Sequence, residues 1–204
     1  MTTAPVTPRS SAGARWLTAI VGFAVALFVT ASSPPVTPVR TPIRMNGPWI
    51  TRTVLGNEIS LRVPSDWNVG PRAAFAGSFI FLTGSFSNQL LSPACTTSGN
   101  SITCGQPLTS LQPGGILVDV YDNGNPTWTL RSEPGVPATV SGLSAKLDIE
   151  TGGQQACGGL GADRSRTEFI AMSSPPEDYY EISICSRGVP DDVGARVMAS
   201  IRVG

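Results

Sequence analysis

Four cysteines and not one histidine set the limits of the chemistry open to this 204-residue chain. Without histidine the usual general base of neutral pH is missing, and Ser-His-Asp and Cys-His mechanisms are excluded. A serine–lysine pair would fall to Lys146, the single lysine, with Ser141 or Ser144 close by. Ser144 and Lys146, two apart on an extended segment, share a face. No Ser-x-x-Lys pattern occurs, however, and a solvated lysine is the plainer reading. Carboxylate pairs could run glycoside hydrolysis across a cleft. The sequence offers Asp119 with Asp122, Asp148 with Glu150, and Glu177 with Asp178. Asp122 is better explained as a turn residue, Asp148 and Glu150 as the water-facing side of a strand, and the last pair as part of a proline-containing loop. No catalytic residue is therefore assigned.

Ion and sugar chemistry are equally thin. GGLGAD, residues 158–163, matches one copy of the Gly-Gly-x-Gly-x-Asp calcium repeat, which binds only when tandem copies stack. Four thiols could hold zinc, but the two-residue spacing and the histidines of such sites are absent. No metal site and no cofactor is assigned. Trp67, Trp128, Tyr179 and Tyr180 could build a glycan-binding face. Trp128 and Tyr180 fall at apolar positions of expected strands and are read as core, and Trp67, after a strand end, as the better candidate for partial exposure. The cysteines are read as disulfides, since an even count in an exported domain forms a bridged framework. Cys95 and Cys104 flank TTSGNSIT, whose Ser98-Gly99-Asn100 makes a turn between them. Of the three possible pairings this favours Cys95 with Cys104, leaving Cys157 with Cys185. The second bridge is expected to contribute ~3–4 kcal/mol by constraining the unfolded chain.

The elements that must position these residues begin after a long amino-terminal preamble. WLTAIVGFAVALFVTA, residues 16–31, carries no charge and follows Arg9 and Arg15. A basic flank leading into an apolar core addresses a chain to the export machinery. Residues 1–31 are thus expected to be either a retained single-pass membrane anchor or a signal removed after Ala31, which leaves the rest at the cell membrane or secreted. Pro34, Pro35, Pro38, Pro42 and Pro48 make residues 32–48 a semi-rigid spacer. Residues 49–204 are expected to be one extracytoplasmic domain. The fourteen basic and fourteen acidic residues are mixed along the chain, which disfavours nucleic-acid binding.

Within that domain, strand-like stretches alternate with turn signals. Strands are expected at 49–55 and 58–63 around Gly56-Asn57, at 79–82, and at 116–121 and 126–131 around an Asn-Gly turn. Others are expected at 144–150, 166–172 and 179–186, the last two meeting across SSPPED. A helix is expected after Pro190, with Asp191 and Asp192 at its start and Val193, Val197 and Ile201 on one face. The fold class is α+β, mostly β: an antiparallel sheet with a C-terminal helix packed on one face.

ISLRVPSDW (59–67), the ending ARVMASIRV (195–203) and VSGLSAKLDIE (140–150) resemble parts of PsbP-like domains, including the LpqN-type envelope proteins of actinobacteria. The resemblance implies a curved antiparallel sheet flanked by helices, and an adaptor or accessory role without shared catalytic residues. The function expected from all of this is a non-enzymatic cell-envelope protein, membrane-anchored or secreted. It would bind another protein or a cell-wall component through its disulfide-bearing loops. The alternatives are a small carboxylate-dependent wall hydrolase, and a carrier of a lipid or other apolar ligand between the helix and a curved sheet.

Overall fold

Alternation along GILVDVYDN and YYEISICSR decides the architecture. These segments are β8 (Gly115–Asn123) and β12 (Tyr179–Arg187), paired antiparallel so that Val118 faces Ile184 and Val120 faces Ile182. Period-two alternation puts these residues, with Ile116, on one buried face. The computed structural model describes residues 45–70, 73–74, 80–92, 95–98, 101–104, 107–124, 127–152, 155–172 and 178–204. Around the central pair an eight-stranded sheet runs β3 (Asn68–Gly70), β5 (Ile80–Ser87), β8, β12, β11 (Arg164–Ala171), β10 (Leu143–Thr151), β9 (Val136–Val140), with β4 (Ala73–Ala74) also on β5. Each pairing is antiparallel.

A second layer covers one face. β1 (Trp49–Val54), β2 (Ile59–Pro64) and β13 (Arg202–Val203) form a three-stranded sheet. ISLRV turns Ile59, Leu61 and Val63 inward and Arg62 outward. They pack with Val197, Met198 and Ile201 against Phe86, Val118, Val120, Ile182 and Ile184. The fold is therefore mostly β and antiparallel, and its single α-helix among the described residues, α1 (Asp191–Ala199), packs against the sheet. Gly194 is buried where α1 faces β11, and a Cβ there would meet the Arg166 side chain at an ordinary contact distance of 3.5 Å. The helix ends at Ala199, where Ser200 Oγ donates to the Val197 carbonyl at 2.6 Å and accepts the Arg62 amide at 2.8 Å. That bond ties the helix end to β2. Ile201 extends the buried stripe beyond the helix, whereas Val193 is only half-buried.

Three expectations need correction. Among the described residues, 127–131 do not form a strand, and no second strand follows the Asn-Gly turn to pair with β8. Both edges of β8 are already taken by β5 and β12, so the segment has nothing to pair with there. Residues 127–133 run as turns instead, held by Thr129 and Ser132 and anchored by Leu130 against Phe169, Ala171 and Tyr179. The Gly56-Asn57 signal does join β1 to β2, through a 3-10 turn over Leu55–Asn57 rather than a two-residue loop. Finally, among the described residues no helix is long and apolar enough to cross a membrane. The transmembrane, signal-anchor helix expected in residues 16–31 is thus no part of the described structure, and that run lies outside the described residues.

Candidate functional site

The face of the large sheet turned away from the second layer carries a polar rung. Ser85 on β5 opposes Asp119 on β8, Asp119 opposes Ser183 on β12, Ser183 opposes Thr167 on β11, and Thr167 opposes Asp148 on β10. One row over, Glu181 opposes Tyr121. Thr167 and Ser183 share a hydrogen bond at 3.1 Å, and Tyr121 Oη donates to Asp119 Oδ2 at 3.3 Å. Burial pushes the Asp119 carboxyl up to about 7, and burial with the nearby Glu133 charge does the same to Glu181. Tyr179, hydrogen-bonded by Asn123 Nδ2 and donating to Glu133 Oε1 at 2.7 Å each, has its phenol pushed well above the usual range by burial. The carboxylates brought together across strands here are Asp119 and Glu181, whereas of the pairs visible in the sequence Asp148 and Glu150 share a face of β10, both half-buried. Asp119 and Asp122 point to opposite faces. Glu177 lies outside the described residues, and Asp178 is exposed. Asp119 is only 3% exposed, so its carboxyl is out of a substrate's reach.

On the opposite face, next to the helix, the sheet opens into a cleft of about 440 Å3 lined by residues of β9, β10, β11 and α1 and the segment after it. Drug-sized sites occupy about 300–1,000 Å3. Its apolar wall is Val140, Leu147, Met198 and Ile201, and its polar groups include Thr139, Arg166, Glu168 and Arg202. Glu168 stands on β11 between Leu147 and Ile182, its register partners on either side. It is 7% exposed and forms no hydrogen bond or ion pair within the described structure. Burial alone drives its carboxyl up to about 7. Its neighbour Arg166 is turned to Asp191 at the start of α1, giving Nε at 3.2 Å and Nη2 at 2.5 Å to Oδ1. Arg164 pairs with the same oxygen. These bonds hold the Asp191 carboxyl below the usual carboxylate range and leave Glu168 alone.

The residues singled out in the sequence fall elsewhere. Cys157 and Cys185 form a disulfide with Cα atoms 5.3 Å apart, in a cluster with Leu108, Leu111, Leu117 and Leu160. Cys95 and Cys104 are register partners at the base of the hairpin β6 (Cys95–Ser98) and β7 (Ser101–Cys104). Lys146 Nζ donates to the carbonyls of Arg131 at 2.7 Å and Glu133 at 2.5 Å, so it straps the 127–133 turns to β10. Residues 158–163 close a 3-10 turn (Gln155–Leu160), and Asp163 Oδ2 accepts the Gly188 amide at 2.7 Å. Among the described residues no cluster of potential metal ligands occurs. The tryptophan readings are reversed. Trp67 is 3% exposed, packed in the main core, whereas Trp128 is 45% exposed because its segment is not a strand. Tyr179 and Tyr180 are both buried, Tyr180 donating to Glu58 Oε2 at 2.8 Å. The sequence reading missed Glu168 and Glu181. The available signal was an acid on an otherwise apolar strand, TEFIA and YYEISIC.

No protein-family model matches the chain. No curated protein matches it either. A solved structure from Bacteroides thetaiotaomicron VPI-5482 is similar with a TM-score of 0.35 and 15% sequence identity, covering 78% of this chain and 49% of that one. This chain spans about half the length of that structure.

Proposed function

We propose that this protein is an exported, non-catalytic binding domain of the cell envelope that holds its ligand in the cleft between α1 and strands β9 to β11. One observation carries the reading: a ligand-sized cleft whose floor residue, Glu168, has no hydrogen-bond or ion-pair partner among the described residues. A carboxyl that lines a cleft with its hydrogen-bonding capacity unspent within the fold is available to a ligand. The compartment is supported by the Cys157–Cys185 disulfide, a bond that persists outside reducing compartments, and by the basic flank and apolar run at residues 9–31. An accessory role is also what the short PsbP-like segments imply. The cleft replaces the Cys95 to Cys104 loop as the favoured seat of binding, because it combines a ligand-sized volume, an apolar wall and a polar floor.

The test is to titrate the isotopically labelled protein with a low-molecular-mass envelope extract and follow backbone resonances. Shifts concentrated at Thr139, Glu168, Ala195 and Ala199 are expected. Shifts confined to the 95–104 hairpin would move the site there. Unmoved resonances, or turnover of wall glycan or peptide fragments by the protein, would overturn the reading.

A further inference from the structure

We infer that the cleft between α1 and β9 to β11 takes a small amphipathic carboxylate, whose head is hydrogen-bonded by Glu168 and faced by the Arg166 guanidinium, and whose apolar body lies on Val140, Leu147, Met198 and Ile201. The inference rests on the binding role proposed above and names its ligand class.

Charge decides between head groups. The other ionisable groups lining the cleft are Arg166, two residues from Glu168 on its own strand, and Arg202 after α1. β9 and the turn after it contribute Thr139, Val140 and Ser141, β10 contributes Leu147, β12 contributes Ile182 beside Glu168, and α1 contributes Ala195, Met198 and Ala199, none of them ionisable. An ammonium head would meet two guanidinium groups. An anionic head meets the same groups favourably, and Glu168, whose carboxyl burial pushes up to about 7, has an O–H to give below that pH. A carboxylic acid donating to a carboxylate is among the stronger hydrogen bonds available to side chains. Asp191 occupies Nε and Nη2 of Arg166, which orients the guanidinium and stops it from forming an internal pair with Glu168. Arg202 is steadied in turn by the carbonyls of Ala199 and Ile201, 3.1 and 2.6 Å from its Nη1. The apolar lining faces the remainder of the ligand, which makes it an amphiphile rather than a small polar anion.

Binding is then linked to one proton, held by Glu168 in the complex and released from the free protein above neutrality. Decanoate is a suitable probe, since it is ionised at both pH 6 and pH 8.5, and decylamine and decanamide serve as comparators of the same length. Calorimetric titration of the protein is expected to show decanoate binding at pH 6 that weakens about tenfold or more at pH 8.5, by proton linkage. Glu168→Gln, whose amide donates at every pH, should bind decanoate with the same affinity at both, and Glu168→Leu should lose most of it. Preference for decylamine or decanamide would overturn the carboxylate assignment, as would a pH dependence that survives in Glu168→Gln. If none of the three probes binds while envelope extract still shifts cleft resonances, the ligand class fails and the binding role stands. If neither binds, both fail.

Discussion

Glu168 and Lys146 show how far a side chain's role departs from its type. An acid between Leu147 and Ile182 is destabilising when ionised, and Glu168→Leu fills the same space without that cost. Urea unfolding at pH 8 is expected to show the variant more stable by ~1–2 kcal/mol, and a loss of stability would refute this account of the site. Lys146→Met is expected to cost ~1–3 kcal/mol by leaving the Arg131 and Glu133 carbonyls without their donor. Hydrogen exchange should speed up across residues 127–133, and unchanged exchange would mean that the strap is idle. Both acids of the polar rung's centre could be seen as acids in the sequence. Their meeting could not, because a slip of one residue in strand register sends every side chain to the other face. Asp119 and Glu181 are sixty-odd residues apart in the chain and become neighbours only through the pairing of β8 with β12.

At the level of elements, what the sequence made legible was what alternation encodes. β8, β10, β11 and β12 follow their hydrophobic periods, and α1 follows its acidic start and its apolar stripe. β9 and β13 were not legible, since VPATV is half exposed and β13 is only Arg202–Val203. PTWTLR has strand composition but finds no free edge on β8, so tertiary context overrides its propensity. Cysteines obey a different logic, in which the turn between Cys95 and Cys104 set the expected pairing. The Cys157–Cys185 bridge staples the 3-10 turn to β12, where Leu111 donates its amide to the Leu160 carbonyl at 2.8 Å. Replacing both of these cysteines by alanine is expected to cost ~3 kcal/mol, from the loop it releases and from the two thiols lost from the cluster, read as an earlier thermal transition. Peptide mapping without reductant should link Cys95 to Cys104, whose backbones already face each other. A link from Cys95 to Cys157 or Cys185 would contradict the fold.

The whole molecule stores its buried acids in one direction. Asp119, Glu168 and Glu181 are each raised to about 7, from ordinary values of 3.8 for the aspartate and 4.5 for the glutamates. Between those limits the folded chain keeps protons that the unfolded chain has released. Stability must therefore fall as pH rises through this window, being fully present below about pH 4 and lost above about pH 7. Asp191, lowered by Arg166 and Arg164, acts in the opposite sense. Its contribution disappears only as pH falls through its folded value, below 3.8, and so does not mask the trend. At about 1.4 kcal/mol per pKa unit, Glu181 alone accounts for ~3 kcal/mol. For a domain of this size that is a melting temperature roughly 5–10 °C higher at pH 5 than at pH 8. Many proteins gain stability over the lower part of this range, as their paired carboxylates ionise. Scanning calorimetry at pH 5, 6, 7 and 8 provides the check, with Glu181→Gln expected to flatten part of the slope. A melting temperature that is constant or rising across this series would mean that water or counter-charges reach these carboxyls, and that the second face of the sheet is not the dry layer its burial indicates.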